Sequence, residues 1–266
     1  MSRSLIGCVV AAFFFALPAS LSAAEPAAVA GRPPLRILPV GDSITRGSYL
    51  ATQNGQAMGL PHPDGGGWRT GLQDKLRAAG ITFDFVGELD YLAFGRDGVV
   101  DPAFDPHHHG LAGFGNARIL AGGTVPTPAD VLAARGVEEI GVRPLVEVLD
   151  RAQPAVILLM SGANGFDAAA RDRLIQTIGE SCDAHLFVAT IPPQKAPRAG
   201  WEQVDAYNAS LPAAVAAQEA AGRRITRVAM LAPRTPDVLL PHGVHPNRAG
   251  MDKIAATWFA ALTARR

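Results

Sequence analysis

The amino-acid sequence predicts an α/β fold of three layers, α/β/α, in which helices cover both faces of an open, five-stranded parallel sheet. Two observations predict it. Five short apolar runs occur along the chain, and amphipathic stretches with helical spacing separate them. No internal repeat and no shift in composition divides residues 35–266, so we expect a single domain there.

The predicted strands are bounded by glycine, proline or polar residues. They are Leu35–Val40, Ile81–Val86, Ala155–Met160, Ala184–Ile191 and Ile225–Leu231. The predicted helices are Trp68–Ala79, one that ends near Ala152, Ala168–Ser181, Val204–Ala221 and Asn247–Ala264, the last with Asn247 as its N-cap. Residues 88–140 are rich in glycine, proline and histidine, and only Asn116–Leu120 and Pro128–Arg135 look weakly helical.

The first 24 residues are typical of a signal peptide. Arg3 gives a positive start, Leu5–Leu17 an apolar stretch, and Ala23 and Ala24 a small-residue cleavage site. We therefore expect a secreted or periplasmic protein without a membrane anchor after cleavage, and a lead-in linker over residues 25–34. Cleavage would leave Cys182 as the one cysteine, which excludes an intrachain disulfide and favours a buried thiol.

The charge of the chain is balanced, with 24 Lys and Arg against 24 Asp and Glu. Nucleic acids and anionic membranes select strongly basic surfaces, so no nucleic-acid partner is expected.

Chemically capable residues follow the predicted strands, where ligands bind in open α/β sheets. Ser43 comes directly after the first strand, in Gly41-Asp42-Ser43. Such a serine is either a nucleophile or a helix cap, and the tripeptide alone does not distinguish these two interpretations. Three further segments reach the same edge: His108–Phe114, Ser161–Gly165 and Pro241–Asn247. They could supply the base and the oxyanion donors that a serine nucleophile needs.

The run His107-His108-His109 also invites a metal interpretation. Consecutive residues seldom direct their side chains at a common ion, and Asp101–Asp105 does not have the spacing of an EF-hand loop. No metal site is therefore expected at either segment.

These segments resemble the four sequence blocks of the SGNH, or GDSL, hydrolases. Gly41–Gly47 (GDSITRG) and His245-Pro246-Asn247 match closely. Trp68-Arg69 with Leu72 and Leu76, and the block His108–Phe114, are most similar to carbohydrate esterase family three, the acetylxylan-esterase-like proteins. The resemblance implies a flavodoxin-like SGNH hydrolase fold and a serine esterase that needs no cofactor.

Residue by residue, the resemblance implies Ser43 as the nucleophile and His245 as the general base. The oxyanion hole would consist of the backbone N–H groups of Ser43 and Gly113 and the side chain of Asn164, with Gly110 as the alternative second donor. The implied reaction is hydrolysis of small acyl esters, above all acetyl esters on a small molecule or polysaccharide, through an acyl-enzyme.

The sequence departs from the family pattern at two positions. His242 stands where the family has the Asp that orients the catalytic His, which predicts a Ser43–His245 dyad with a substitute partner such as Asp237 or a backbone carbonyl. Gly165 replaces the Asp that follows the oxyanion Asn, and Asp167 is the candidate to compensate. Trp201, expected in a loop, is a candidate for contact with a sugar ring.

Two other functions stay open at this point. A lipid-type acyl hydrolase or thioesterase would use the same fold with an apolar groove. A catalytically weakened domain that binds glycans would explain His242 and Gly165.

Overall fold

The computed structural model describes residues 33–53, 56–61, 66–90, 103–126, 139–194, 201–230, 236–240 and 243–264. The predicted signal peptide and most of the predicted linker lie outside the described residues, as do Pro128–Arg135 and His242.

The described strands are β1 Leu35–Gly41, β2 Ser48–Gln53, β3 Gln56–Pro61, β4 Phe83–Phe85, β5 His109–Gly110, β6 Gly123–Pro126, β7 Glu139–Val142, β8 Val156–Met160, β9 His185–Ala189 and β10 Ile225–Val228. The described helices are α1 Ser43–Arg46, α2 Trp68–Ala78, α3 Asn116–Ala121, α4 Leu145–Ala152, α5 Ala168–Ser181, α6 Trp201–Ala209, α7 Leu211–Ala220 and α8 Arg248–Thr263. A 3₁₀ turn covers Pro236–Val238.

A parallel sheet forms the centre of the fold, as the sequence predicts, and its strand order is β10-β9-β8-β1-β4. The prediction of five strands is wrong by one. β4 pairs with the start of β1 at Leu35–Ile37, and the additional strand β5 pairs with its end, Val40 and Gly41. Two short strands therefore share one edge of β1, and β5 brings residues 109–113 beside the turn that follows β1.

Alternate residues of the strands enter two cores on opposite faces of the sheet, which confirms the three layers. Leu38, Val40 and Leu159 pack on one face with α3, α4, α5 and α7. Ile37, Leu158 and Met160 pack on the other with α2 and α8. Because successive side chains of a strand point to opposite faces, uninterrupted apolar runs are what a sheet covered on both sides requires.

Two local predictions need correction, and two antiparallel strand pairs are additional to the prediction. The helix predicted over Val204–Ala221 is two helices, because Pro212 at the start of α7 has no N–H with which to continue the ladder from α6. The antiparallel pairs β2–β3 and β6–β7 were not predicted. Cys182 is a free thiol that is half-buried, not fully buried.

Among the described residues, no helix combines the length and apolar character needed to cross a bilayer.

Candidate active site

Ser43 stands at the carboxyl end of the central strand. β1 ends at Gly41, Asp42 makes the turn in an extended conformation, and Ser43 is the first residue of α1. The turn is tight because a Cβ at position 41 would lie 2.1 Å from the carbonyl oxygen of Met160 in β8. This close approach requires glycine and fixes Ser43 directly above the sheet edge.

His245 faces Ser43 from a loop far along the chain. Its Nε2 lies 2.7 Å from the Ser43 Oγ, and the two side chains are only 4% and 5% exposed. The backbone of this loop is held by Leu240, whose N–H donates to the His245 carbonyl at 2.9 Å, and by a bridge between Leu239 and Pro246. A hydroxyl and an imidazole in this arrangement can exchange a proton.

Asp42 connects the Ser43 turn to the loop after β8. Its carboxylate accepts hydrogen bonds from the N–H groups of Ile44, at 3.0 Å, and of Ala163, at 3.1 Å. Burial raises the pKa of Asp42 to about 6, against the opposing effect of these hydrogen bonds. Sequence reasoning assigned no role to Asp42, although its place directly before Ser43 is a signal for one.

Asn164 and Gly113 lie on adjacent loops. The Asn164 side-chain amide donates to the carbonyl of Phe114 at 3.2 Å, which uses one of its two N–H bonds. Gly113 is exposed and has φ 79°, a left-handed conformation that glycine adopts without strain. By contrast, the N–H of Gly110 donates to Nδ1 of His108 at 2.9 Å. Gly113 is therefore the better candidate for the second oxyanion donor.

A buried hydrogen-bond network supports the loop that carries Asn164. The Tyr207 hydroxyl donates to the Ser161 carbonyl at 2.9 Å and accepts from the Asn116 amide at 2.9 Å. The Ser161 hydroxyl donates to the Asn116 carbonyl oxygen at 2.7 Å. Asn116 also reaches the carbonyl of Asp167 at 3.0 Å. Sequence reasoning missed this network, since its members are far apart in the chain.

Arg69, which the sequence singled out only as part of a motif, binds the backbone of α1. Its guanidinium is fully buried and donates to the carbonyls of Thr45 at 3.1 Å, Arg46 at 3.0 Å and Pro106 at 2.9 Å. The last carbonyls of a helix have no partner within it, so Arg69 satisfies the end of α1 and fixes the helix that begins with Ser43.

The three consecutive histidines have separate partners. His107 pairs with Asp105 at 2.9 Å, and that hydrogen bond raises the pKa of His107. Burial holds the pKa of His108 well below its ordinary value, consistent with a neutral ring that accepts from Gly110. His109 lies 3.3 Å from Glu88. In the described part of the chain, no group of three His, Cys, Asp or Glu side chains is placed to hold a metal.

The remaining candidates are placed as follows. Trp201 begins helix α6 and is half-buried, so the expectation of a loop position is wrong. Asp167 caps α5 by accepting from the N–H of Ala170 at 2.8 Å. Asp237 is exposed in the 3₁₀ turn, and its carbonyl accepts from the Asn247 amide at 2.6 Å. Asn247 caps α8, as predicted.

Comparison with solved structures reveals the same architecture in carbohydrate esterases. A mutant acetyl esterase, crystallised with an acetate ion, superposes with a TM-score of 0.61 at 19% identity, over 87% of this chain and 97% of that one. A family 3 carbohydrate esterase from Talaromyces cellulolyticus gives the same four values. One from Clostridium thermocellum superposes with a TM-score of 0.57 at 24% identity, over 88% and 98% of the two chains.

The chain has the same three-layer α/β/α fold as these esterases. In this fold the segments that carry Ser43, Gly113, Asn164 and His245 meet at one sheet edge. No family model and no curated protein matches the sequence.

Proposed function

We propose that this protein is an exported serine esterase that removes small acyl groups, above all acetyl, from carbohydrate. The observation that carries the proposal is the buried contact of 2.7 Å between Ser43 Oγ and His245 Nε2 at the carboxyl end of β1. A hydroxyl held against an imidazole nitrogen in a site largely removed from water is the arrangement that activates a serine for attack. The likeness of the fold to acetyl and carbohydrate esterases supports the substrate class.

The reaction has two halves. In the first, His245 Nε2 takes the Ser43 proton as Oγ attacks the ester carbonyl, and the resulting tetrahedral oxyanion collapses to an acyl-Ser43 ester. The alcohol leaves with the proton from His245. In the second half, His245 deprotonates a water molecule, which attacks the acyl-Ser43 carbonyl. Collapse of this intermediate releases the carboxylic acid and returns the proton to Ser43.

The oxyanion formed in each half needs donors that stand ready before the reaction. We assign this role to the N–H groups of Ser43 and Gly113 and to the second amide hydrogen of Asn164. The first amide hydrogen is already bound to the Phe114 carbonyl, which orients the group. Preorganised donors stabilise the charge as it develops without the cost of reorganising water.

The proposal of export rests on the signal-peptide pattern of residues 1–24. Cleavage is expected near Ala23 or Ala24. Mass measurement of the protein recovered outside the cytoplasm tests it. A mature chain that begins close to Glu25 is expected, and an uncleaved chain retained in the cytoplasm would contradict it.

Hydrolysis of nitrophenyl esters from acetate to palmitate, together with acetylated xylan and acetylated cello-oligosaccharides, tests the activity and its acyl preference. Acetate is expected to give the highest kcat/KM, and Ser43→Ala should abolish turnover of every ester. Ser181→Ala provides a matched control, because Ser181 is exposed at the end of α5.

Other outcomes separate the alternatives. A maximum at long acyl chains would indicate a lipid-type hydrolase or thioesterase. Binding of the glycans without turnover of any ester would indicate a binding domain and would refute the proposal.

A further inference from the structure

An ionic cluster whose carboxylate and imidazole are shielded from solvent lies beside β1. It consists of Glu88, His109 and Arg143, and we refer to it as the Glu88 cluster. Glu88 Oε1 lies 3.3 Å from His109 Nδ1, and Glu88 Oε2 lies 3.0 Å from the Arg143 guanidinium. The backbone N–H of Arg143 donates to the same carboxylate at 3.1 Å. Glu88 thus connects the end of β4, strand β5 and the segment that leads into α4.

The Glu88 carboxylate is charged despite its surroundings. Its side chain is only 9% exposed and that of His109 is fully buried. Burial alone would raise the pKa of Glu88, but the contacts with His109 and Arg143 outweigh burial and lower it. Removing the Glu88 carboxylate from water on folding carries a desolvation cost. An apolar pair of similar size would not carry it.

The cluster acts on the segment that carries Gly113. His109 pairs with Val40, Gly110 pairs with Gly41, and the N–H of Leu111 donates to the Gly41 carbonyl at 2.8 Å. Strand β5 is only two residues long, so few backbone hydrogen bonds hold its register against β1. His109 is the residue of β5 that also lies against a charged side chain, Glu88, from the segment that follows β4.

The neighbouring backbone strengthens this connection. Leu89 and His108 exchange two hydrogen bonds, at 3.1 and 2.9 Å. At Gly87 a Cβ would lie 2.4 Å from the His108 carbonyl carbon, so the two segments approach more closely than a side chain would allow. The backbone after β4 is therefore joined to the backbone around β5. The contact between Glu88 and His109 adds a side-chain connection between the same two segments.

We propose that Glu88 and His109 are positioning residues for the oxyanion hole. The contact between them sets the position of residues 109–113 relative to β1, and hence the distance between the N–H of Gly113 and the carbonyl carbon that Ser43 attacks. The inference rests on the proposed esterase function. A displacement of about 1 Å in a catalytic group can lower the rate by about a hundredfold, so a modest shift of β5 is sufficient to affect turnover.

Glu88→Gln is the most informative variant, because it removes the charge and keeps the size and a hydrogen-bond acceptor for Arg143. Asp84→Asn is the matched control: Asp84 lies in β4, and its ion pair is with Arg36 of β1, at 2.6 Å. We expect kcat of Glu88→Gln to fall by about tenfold to a hundredfold, with KM changed by less than about twofold. His109→Gln should behave in the same way, and Asp84→Asn should keep the parent kcat.

Inhibition by phenylboronic acid gives a second readout. Its boron binds the Ser43 oxygen and becomes an anionic tetrahedron that resembles the transition state. Affinity for this inhibitor should fall in Glu88→Gln in parallel with kcat, since both depend on the oxyanion donors. A role in stability alone would lower the melting temperature and leave both quantities unchanged.

Different results would refute the esterase function and the positioning role of Glu88 and His109. A parent enzyme without esterase activity refutes the proposed function. An active parent whose Glu88→Gln variant keeps kcat and boronate affinity refutes the positioning role alone.

Discussion

The Asp42 carboxylate accepts a hydrogen bond from the backbone N–H of Ala163, 121 residues later in the chain, at 3.1 Å. Asp42 precedes the proposed nucleophile, and Ala163 precedes the proposed oxyanion donor Asn164. One carboxylate therefore sets the distance between two groups that must act on the same carbonyl. The same carboxylate binds the N–H of Ile44 and so caps the short helix that begins at Ser43.

The buried state of Asp42 predicts a specific pH dependence of stability. Its pKa is raised from 3.8 to about 6 in the folded chain, mainly by burial. Between those values the folded chain holds a proton that the unfolded chain has lost, so stability falls as pH rises from about 4 to about 6. Asp42 should therefore lower the free energy of unfolding by on the order of 3 kcal/mol over this pH range, and Asp42→Asn should remove that change.

Urea unfolding at several pH values measures this component as the difference between parent and variant. Asp74→Asn, on the half-exposed surface of α2, is the control for the loss of one carboxylate. An Asp42→Asn variant with the same slope as the parent would show that Asp42 does not titrate in that range.

Gly162 and Gly165 offer a matched pair in the loop that carries Asn164. Both have positive φ, 126° and 114°, so alanine is strained at either position. A Cβ at Gly162 would also lie 2.4 Å from the Tyr207 ring, whereas a Cβ at Gly165 meets nothing within 4 Å. Gly162→Ala should therefore cost about 1–3 kcal/mol more stability than Gly165→Ala and lower kcat further. Equal losses in thermal unfolding would show that the Tyr207 contact is not tight.

Asn164→Ala tests the proposed oxyanion donor. Removal of one such donor typically lowers kcat by about a hundredfold to a thousandfold, because the bond is strongest in the transition state. KM should change little, and steady-state kinetics with nitrophenyl acetate separates the two constants. Gln176→Ala, on the exposed face of α5, should leave both constants unaltered. A rise in KM at constant kcat would instead place Asn164 in ground-state binding.

His242→Asp tests whether His245 has an adequate orienting partner. Loss of the acid from a complete triad costs about 10⁴-fold in turnover, so a chain that lacked any substitute would gain greatly from an added aspartate. We expect kcat/KM of the variant to stay within about tenfold of the parent, which would indicate a working substitute. An increase in kcat/KM that approaches about 10⁴-fold would show that the Ser43–His245 pair is poorly oriented in the parent.

The sheet could be predicted because its signals are local. Each strand is a short apolar run that ends at glycine, proline or a polar residue, and β1, β8 and β10 begin within one residue of their predicted starts. β5 could not be predicted, since a strand as short as His109–Gly110 has no periodicity and is defined only by its partner β1. The break at Ser210 was visible in Pro212 but was outweighed by the surrounding alanines.

The candidate site could be predicted only in part, because only some of its residues have local sequence signals. Ser43, Asn164 and His245 could be named because each directly follows a strand or precedes a helix in a sequence motif. The residues that support them, such as Arg69, Asn116 and Tyr207, act through contacts between distant segments. Arg69 belongs to α2, which also carries Asp74, Lys75 and Arg77, so its full burial could not be predicted from the sequence.

Labelling with a fluorophosphonate shows whether His245 activates Ser43, because the reagent bonds to a serine that a base has activated. The parent, Ser43→Ala, His245→Ala and Ser181→Ala are treated alike, and the modified peptide is located by mass spectrometry. We expect one label per chain on Ser43 in the parent and in Ser181→Ala, and none in the other two variants. An unlabelled parent, or a label that persists in Ser43→Ala, would contradict it.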